Sequence, residues 1–202
     1  MQERNFVFIR GTVVGMHVTT RSISFRIATD SGVKDTIFPS VIFDDAKLTK
    51  DIKMKDRVCI EAHIRTRPIR QDDGKRIFIS EFIGDKIEPA TRILADLVDG
   101  LDEKDGGYPE DENEVILAGT VTHVFNPNSG LSMVSVNIPD TKSGQSNYAS
   151  VTCFRRQANV AKDLKEGDKV AVAGVIRPTE RRDPRGEIRF NVVAKDIARV
   201  EG

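Results

Sequence analysis

The stretch NFVFIRGTVVG, which begins at Asn5, returns as NEVILAGTVTH at Asn113, an offset of 108 residues. The two copies share an asparagine, a valine, an aliphatic residue and a Gly-Thr-Val triplet at the same spacing. Further along the chain, IKMKDRVCIEAHI (residues 52–64) matches LKEGDKVAVAGVI (residues 164–176) at an offset of 112. Self-similarity over about 90 residues indicates a duplicated domain and not a short-period solenoid.

The 202 residues suffice for two small domains, each with its own core. We predict a first domain at residues 1–90, a linker at residues 91–112 and a second domain at residues 113–202. The linker begins with TRILADLVDGL, which has the pattern of a short amphipathic helix, and continues with an acidic segment that contains glycine and proline. The formal net charge of the whole chain is zero, so this acidic linker joins two mildly basic domains.

Within each copy the pattern is that of β-strands, in which apolar and β-branched residues alternate with turn signals such as Asp-Asp-Gly. A short helical or turn segment lies between the third and fourth runs, and a glycine in each first strand, Gly11 or Gly119, suits a strand that bends across a barrel corner. This order is typical of the OB-fold, a five-stranded Greek-key barrel. We therefore predict an all-β protein of two tandem OB-folds. The predicted strands are 6–18, 22–29, 34–43, 57–66 and 76–87 in the first copy and 115–125, 131–138, 148–154, 169–176 and 187–199 in the second, with helical segments at 44–53 and 155–164.

Motifs for catalysis, metal binding and membrane insertion are missing from the sequence. There is no nucleophile elbow, phosphate-binding loop or zinc-protease motif. The three histidines are scattered, and Cys59 and Cys153 lie in apolar runs without a Cys-x-x-Cys spacing, which favours reduced core residues. Neither an apolar run of about 20 residues nor a signal peptide is visible. We therefore expect a cytosolic protein with no catalytic residue, metal or cofactor.

One charged hairpin follows the fourth predicted strand of each copy. The first, IRTRPIRQDDGKR, covers residues 64–76, and the second, IRPTERRDPRGEIR, covers residues 176–189. An OB barrel commonly binds oligonucleotides on strands 2 and 3, framed by the loops that join strands 1–2 and 4–5. Since a guanidinium group supplies both a charge and a plane, arginine-rich hairpins suit single-stranded nucleic acid. The predicted phosphate-binding residues are Arg65, Arg67, Arg70, Lys75 and Arg76 in the first copy and Arg177, Arg181, Arg182, Arg185 and Arg189 in the second.

Aromatic side chains offer a second kind of contact, because unstacked bases stack on flat rings. Tyr148 and Phe154 are six residues apart in the third strand of the second copy, which predicts that they share a face. Arg155 and Arg156 follow directly, and together these four residues are a candidate binding set. The looser counterparts in the first copy are Phe38 and Phe43, whereas the core is expected to contain Phe6, Phe8, Phe25 and Phe82.

These residues resemble the bacterial single-stranded DNA-binding protein family. NEVILAGTV is similar to the opening strand of the family, and YASVTCF (residues 148–154) to its third strand. FRRQANVAKDLKEGDKV (residues 154–170) is similar to the helix and the start of the fourth strand, and IRTR (residues 64–67) to a later part of that strand. The resemblance covers most of the second copy and, more loosely, the first. It implies a protein that coats single-stranded DNA with little sequence preference in replication, recombination or repair, either as a homodimer with four barrels or as a monomer.

The sequence departs from the family at several positions. Tyr148 replaces one stacking tryptophan, Ile69 or Glu180 stands near the place of another, and the Phe-Gly-Lys step has become Phe154-Arg155-Arg156. We therefore expect weaker stacking and a larger electrostatic share of the binding energy. The sequence ends in DIARVEG, where the family has an acidic tail with a hydrophobic tip. This difference suggests an accessory, phage or mobile-element version, associated with the nucleoid, whose partner proteins differ.

Two other functions remain open at this stage. One is an RNA-binding tandem OB protein, because the barrel alone does not select the sugar. The other is a protein-interaction module of a replication or conjugation complex, in which the basic hairpins dock an acidic partner. An enzyme is not expected, because the sequence has no clustered acid, base, nucleophile or metal ligand.

Overall fold

The computed structural model describes residues 3–30, 35–70, 74, 76–90, 110–140, 145–183 and 186–200. Over these residues the chain forms eleven β-strands, one short α-helix and one turn of 3-10 helix. The strands are β1 (Arg4–Val18), β2 (Ile23–Asp30), β3 (Thr36–Ile37), β4 (Ser40–Phe43), β5 (Arg57–Arg70), β6 (Arg76–Pro89), β7 (Glu112–Asn128), β8 (Leu131–Pro139), β9 (Ser146–Phe154), β10 (Lys169–Arg182) and β11 (Ile188–Arg199). The 3-10 turn (Ala46–Thr49) lies between β4 and β5, and helix α1 (Arg156–Ala161) lies between β9 and β10.

Each half of the chain closes into a five-stranded barrel. In the first, β1 pairs antiparallel with both β2 and β5, β2 continues to β4, β5 continues to β6, and a parallel β4–β6 pair completes the ring. In the second, β7 pairs with β8 and β10, and a parallel β9–β11 pair completes the ring. The all-β tandem OB-fold is therefore confirmed, with a helical turn between the third and fourth strands of each barrel. The domain limits 1–90 and 113–202 stay predictions.

The interiors of the barrels are filled by the alternate residues of each strand, as a period of two requires. Along β8, for example, Val134, Val136 and Ile138 are buried while their neighbours are partly exposed. Phe25 and Phe43 meet edge to face in the first core, with ring centroids 5.9 Å apart. This arrangement corrects the interpretation of Phe43 as a surface aromatic residue.

The core prediction for four phenylalanines is right for two of them. Phe25 and Phe82 are buried. Phe6 and Phe8 are only half-buried, and the guanidinium groups of Arg4 and Arg10 lie 5.7 and 5.4 Å from the centroids of their rings. The prediction failed because Phe6 and Phe8 alternate with the buried Val7 and Ile9 and so lie on the outer face of β1, where an arginine instead of the core can cover an aromatic ring.

The glycine in each first strand allows a close approach of two backbones. A Cβ atom on Gly11 would lie 2.2 Å from the carbonyl oxygen of Ala28, and one on Gly119 would lie 2.3 Å from that of Asn137. Any side chain at these positions would push β1 from β2, or β7 from β8. Each first strand then changes register just beyond its glycine, where it leaves one pairing partner for the other.

The third strand of the first barrel is broken, although one strand was expected at residues 34–43. The break separates β3 from β4 at Phe38 and Pro39. Proline has no N–H to donate to a ladder, and its carbonyl oxygen instead accepts a bond of 3.0 Å from the N–H of Ile27. The equivalent strand in the second barrel, β9, contains no proline and is continuous.

The two barrels are joined by an antiparallel ladder between β1 and β7. Its register pairs Val7 with Val115, Asn5 with Leu117, and Ile9 with Asn113. Residues of the first barrel and their repeat equivalents, 108 positions later, exchange roles across this ladder. The barrels are therefore related by a pseudo-two-fold axis at the Val7–Val115 pair, in the manner of an isologous dimer interface.

Both cysteines are free thiols, as expected. Cys59 is half-buried, while the complete burial of Cys153 raises the pKa of its thiol to about 11. The predicted linker helix lies outside the described residues. Across the described part of the chain, none of the helices has the length and apolar character needed to cross a membrane.

Candidate nucleic-acid interface

The two charged hairpins are extensions of barrel strands. Strand β5 was expected to end at residue 66, but its ladder with β6 continues to the pair Arg70–Arg76. The ladder between β10 and β11 likewise continues to the pair Arg182–Ile188. We call the part of β5–β6 at residues 65–80 the first arm and the part of β10–β11 at residues 177–191 the second arm. Because both arms are paired strands, they hold their side chains at fixed spacing and on defined faces.

A groove of about 1140 Å³ runs between the barrels and is bounded by both arms. Residues of β2, β4, β5 and β6 line it from the first barrel, and residues of β8, β9, β10 and β11 line it from the second. The end of β1, with His17, and the segment between β1 and β2, with Arg21, close one side. A single surface thus joins the outer faces of two barrels, which neither barrel could form alone.

The arginines of the first arm that line the groove are paired with carboxylates. The guanidinium of Arg65 lies 2.5 Å from the carboxylate of Asp44, and that of Arg67 lies 2.7 Å from the carboxylate of Glu81. All four residues line the groove. Arg70 is on the opposite face of β5, since side chains alternate along a strand. The positive charge of the first arm is therefore largely balanced within the groove.

The second arm places unpaired guanidinium groups beside the same groove. Arg189 lines the groove, and its Nε is buried without a hydrogen-bond partner. Arg177 likewise has a buried Nε without a partner, and it pairs across the ladder with Asn191, which lines the groove. Among the described residues neither arginine forms an ion pair. A buried N–H without an acceptor is costly, so an anion that enters the groove would supply the acceptor that the protein lacks.

One aromatic ring projects into the groove with little cover. Phe78 of the first arm is 63% exposed and lines the groove. The phenylalanine of the second arm, Phe190, instead packs edge to face on Phe82 of the first barrel, with ring centroids 6.1 Å apart. This contact joins the second arm to the first barrel.

The aromatic pair predicted on β9 is on one exposed face of that strand. Tyr148 is 38% exposed and Phe154 is 45% exposed. Ser150 lies between them on the same face and lines the groove, although the two rings do not. The shared face predicted from the sequence is therefore present, and its two rings flank the floor of the groove.

The first arm is docked onto this strand by hydrogen bonds. The hydroxyl of Thr66 accepts a bond of 2.8 Å from the N–H of Tyr148 and donates one of 3.2 Å to its carbonyl oxygen. The N–H of Thr66 donates to the side-chain oxygen of Asn147 at 2.8 Å, and the hydroxyl of Ser80 donates to the carbonyl oxygen of Tyr148 at 3.0 Å. The groove is thus held between two barrels with a defined separation.

Other predicted site residues are less centrally placed. Arg155 and Arg156 are exposed at the start of α1 and do not line the groove. Arg182 donates a hydrogen bond of 2.7 Å to the carbonyl oxygen of Gly186 and so closes the tip of the second arm. Lys75 and Arg185 lie outside the described residues, as do the side chains of Arg76 and Arg181.

Several groove residues were missed in the sequence. Phe78 was overlooked because an aromatic residue in an apolar strand normally belongs to the core. Its position between Arg76 and the acidic Glu81, in a hairpin already singled out by its charge, was the available signal. Asp44 and Glu81 were missed because a carboxylate that pairs with an arginine from another strand has no local signature.

The comparisons with known proteins bear on the fold. No family model matches the sequence, and no curated protein matches it. The structure is similar to that of the single-stranded DNA-binding protein from Thermus aquaticus, with 17% identity and a TM-score of 0.69 over 100% of this chain and 95% of that one. A deletion mutant of the same protein gives 18% identity and a TM-score of 0.68 over 100% and 96% of the two chains. The chain therefore has, over its whole length, the tandem OB-fold of the Thermus aquaticus single-stranded DNA-binding protein.

Proposed function

We propose that this protein binds single-stranded DNA in the groove between its two barrels. The observation that carries the proposal is the combination, in one groove, of a guanidinium group without an ion-pair partner, that of Arg189, and an uncovered aromatic ring, that of Phe78. Single-stranded nucleic acid needs both kinds of contact, since its phosphates are charged and its unstacked bases present flat apolar faces. Double-stranded DNA presents no unstacked bases to a ring.

The fold supports this proposal without deciding it. OB barrels carry many functions, and a shared fold does not transfer a ligand. The Thermus aquaticus protein with the same architecture is named for binding single-stranded DNA. The likeness covers both barrels of this chain, which supports a proposal that uses both barrels.

In the cell, this protein would coat and protect exposed strands during replication, recombination or repair. Its contacts would be to phosphates and to the faces of bases, and such contacts carry little sequence information. We further propose a cytoplasmic, nucleoid-associated protein of two barrels, residues 1–90 and 113–202, that binds without catalysing a reaction. It would act as a homodimer with four barrels or as a monomer, and a mass measurement in solution with and without poly-dT distinguishes these states.

The test is a titration of labelled poly-dT with the full chain at several salt concentrations. We expect the logarithm of the binding constant to fall linearly with the logarithm of the salt concentration, with a slope of about −0.7 for each phosphate contact. Binding that is absent at low salt, or that is indifferent to salt, contradicts the proposal.

Competition experiments separate the alternatives. An unlabelled DNA strand should displace the bound probe better than an RNA strand of the same sequence, and better than the corresponding duplex. A stronger RNA competitor would indicate an RNA-binding protein. Loss of an acidic protein partner on Arg→Ala substitution in both arms, with oligonucleotide binding intact, would indicate a protein-interaction module.

A further inference from the structure

The two arms are related by the sequence repeat and by the pseudo-two-fold axis, yet their side chains differ in exposure and in ion pairing. In β5 and β10 the residues of the two arms match at an offset of 112, so that Arg65 corresponds to Arg177. Each arm also has one phenylalanine opposite a proline: Phe78 is opposite Pro68, and Phe190 is opposite Pro178. Two identical arms would give the arginines the same surroundings and the rings the same cover, and neither is the case.

The aromatic rings differ because of one neighbouring position. Phe190 of the second arm packs on Phe82 of the first barrel. The place of Phe82 in the second barrel is taken by Val192, which pairs with Val151 as Phe82 pairs with Val41 and which has no ring to pack on another. Phe78 of the first arm accordingly remains 63% exposed in the groove, and among the described residues no ring stacks on it.

The arginines differ because of the carboxylates near them. Arg65 pairs with Asp44, which follows Phe43 at the end of β4. In the second barrel the strand register puts Cys153 at the place of Phe43 and Phe154 at the place of Asp44, so the acidic partner is replaced by an aromatic residue without charge.

The second carboxylate of the first barrel is lost in the same way. Glu81, the partner of Arg67, corresponds to Asn191, which lies opposite Arg177 as Glu81 lies opposite Arg65 and which has no charge. The first arm therefore has neutralised arginines and a free ring. The second arm has a covered ring and arginines, Arg177 and Arg189, without acidic partners among the described residues.

We propose that the two arms divide the contacts to one strand: the second arm holds its phosphates, chiefly through Arg189, and the first arm stacks a base on Phe78. This division rests on the proposed function and deepens it. It makes the site asymmetric, so that a strand crossing the groove meets a phosphate-binding wall on one side and a base-stacking wall on the other. The duplication produced two similar arms, and three changed neighbours, at the places of Phe82, Asp44 and Glu81, made them unequal.

The test uses the full chain and two probes of equal length, an oligo-dT and a strand of the same backbone with abasic sites. We expect Phe78→Ala to weaken binding to oligo-dT roughly 5- to 150-fold, the range of one base–ring stack, and to leave the abasic probe and the salt slope unchanged. Arg189→Gln should weaken both probes and reduce the magnitude of the salt slope by about 0.7.

Matched controls are present in the chain. Phe125 is 55% exposed but lies outside the groove, so Phe125→Ala should change neither probe. Arg4→Gln removes the same charge as Arg189→Gln from an exposed residue outside the groove. Phe78→Leu retains an apolar side chain without a ring and should lose oligo-dT affinity while melting at the wild-type temperature, which separates stacking from folding.

The outcomes distinguish this division from the proposed function. The division is overturned if the wild type binds oligo-dT while Phe78→Ala and Phe78→Leu bind it equally well, or if Phe78→Ala weakens both probes to the same extent. It is also overturned if Arg189→Gln affects oligo-dT alone. A wild type that binds neither probe overturns the proposed function and the division together.

Discussion

Arg155 has a backbone conformation that glycine adopts readily and other residues do not. Its φ and ψ angles are 50° and −113°, and such a conformation costs of the order of 1–3 kcal/mol for a residue with a Cβ atom. The turn is retained because the N–H of Arg155 donates a hydrogen bond of 3.0 Å to the carbonyl oxygen of Gly130 and α1 starts at the next residue. An arginine at this position therefore costs stability that a glycine would not.

We predict that Arg155→Gly raises the free energy of unfolding by about 1 kcal/mol. The substitution relieves the backbone strain, and the larger conformational entropy of glycine in the unfolded chain offsets part of the gain. Urea denaturation measures the change. Arg155→Ala should not raise stability, since alanine also has a Cβ atom and the same backbone conformation stays strained. Arg156→Gly, one residue later in α1, should lower stability by about 0.5–1 kcal/mol. A loss of stability in Arg155→Gly would contradict the conclusion that the backbone at Arg155 is strained.

The asparagines that open each repeat have a structural role that the sequence pattern did not reveal. The side-chain amide of Asn5 donates to the carbonyl oxygen of Ile64 at 2.8 Å, and its oxygen accepts from the N–H of Ile64 at 2.9 Å. Asn113 makes the same two bonds to Ile176, both of 2.9 Å. Each asparagine completes the ladder where β5 or β10 leaves its barrel to form an arm.

Asn113→Ala is expected to lower the free energy of unfolding by about 1–3 kcal/mol, because it leaves the buried N–H and carbonyl groups of Ile176 without partners. Thermal and urea unfolding give the value. The control is Asn159→Ala, which removes an exposed contact to Lys162 and should change stability by less than about 0.5 kcal/mol. Equal effects of the two substitutions would show that the two hydrogen bonds between Asn113 and Ile176 add nothing to stability.

At the scale of elements, the turn before the fourth strand of each barrel has the same geometry with different residues. Lys55 has a φ angle of 74°, and its repeat equivalent Gly167 has one of 91°. The N–H of Lys55 donates to the carbonyl oxygen of Val13 at 2.8 Å, and that of Gly167 donates to the carbonyl oxygen of Val121 at 2.9 Å. The fold therefore requires a left-handed residue at both turns, although only the second copy has a glycine there.

Lys55→Gly should stabilise the protein by about 0.5–1 kcal/mol, since removing the Cβ atom relieves a positive φ angle at the cost of some chain entropy. The reverse change, Gly167→Lys, should destabilise it by about 1–2 kcal/mol. The pair is measured by chemical denaturation of the full chain. Changes of the same sign in both variants would contradict the assignment of the two turns as equivalent.

At the scale of the whole molecule, the width of the groove depends on how the first arm docks onto the second barrel. Thr66 is buried, and its hydroxyl makes both hydrogen bonds to the backbone of Tyr148. The repeat equivalent of Thr66 is Pro178, which has neither a hydroxyl nor an N–H. The two arms are therefore held to the opposite barrels by different contacts, in line with their different side chains.

Thr66→Val keeps the shape of the side chain but leaves the N–H of Tyr148 without its acceptor, which should lower stability by about 1–3 kcal/mol. Hydrogen exchange should accelerate in β5 and β9 at this contact while the cores of both barrels stay protected. Thr122→Val, which loses one hydrogen bond within the second barrel, is the control. Unchanged exchange in β5 and β9 would show that other contacts hold the arm.

The sequence by itself determined the duplication, the all-β character and the order of strands in each copy. These features are encoded in local periodicity, turn residues and internal similarity, which is why Gly11, Gly119 and the helical segments were placed correctly. The tertiary structure alone decided how the barrels pair, where Phe43 and Phe78 lie, and which arginines have carboxylate partners. Those properties depend on residues that approach from distant strands and from the other barrel, and a single changed neighbour, such as Val192 at the place of Phe82, alters them without any local trace in the repeat.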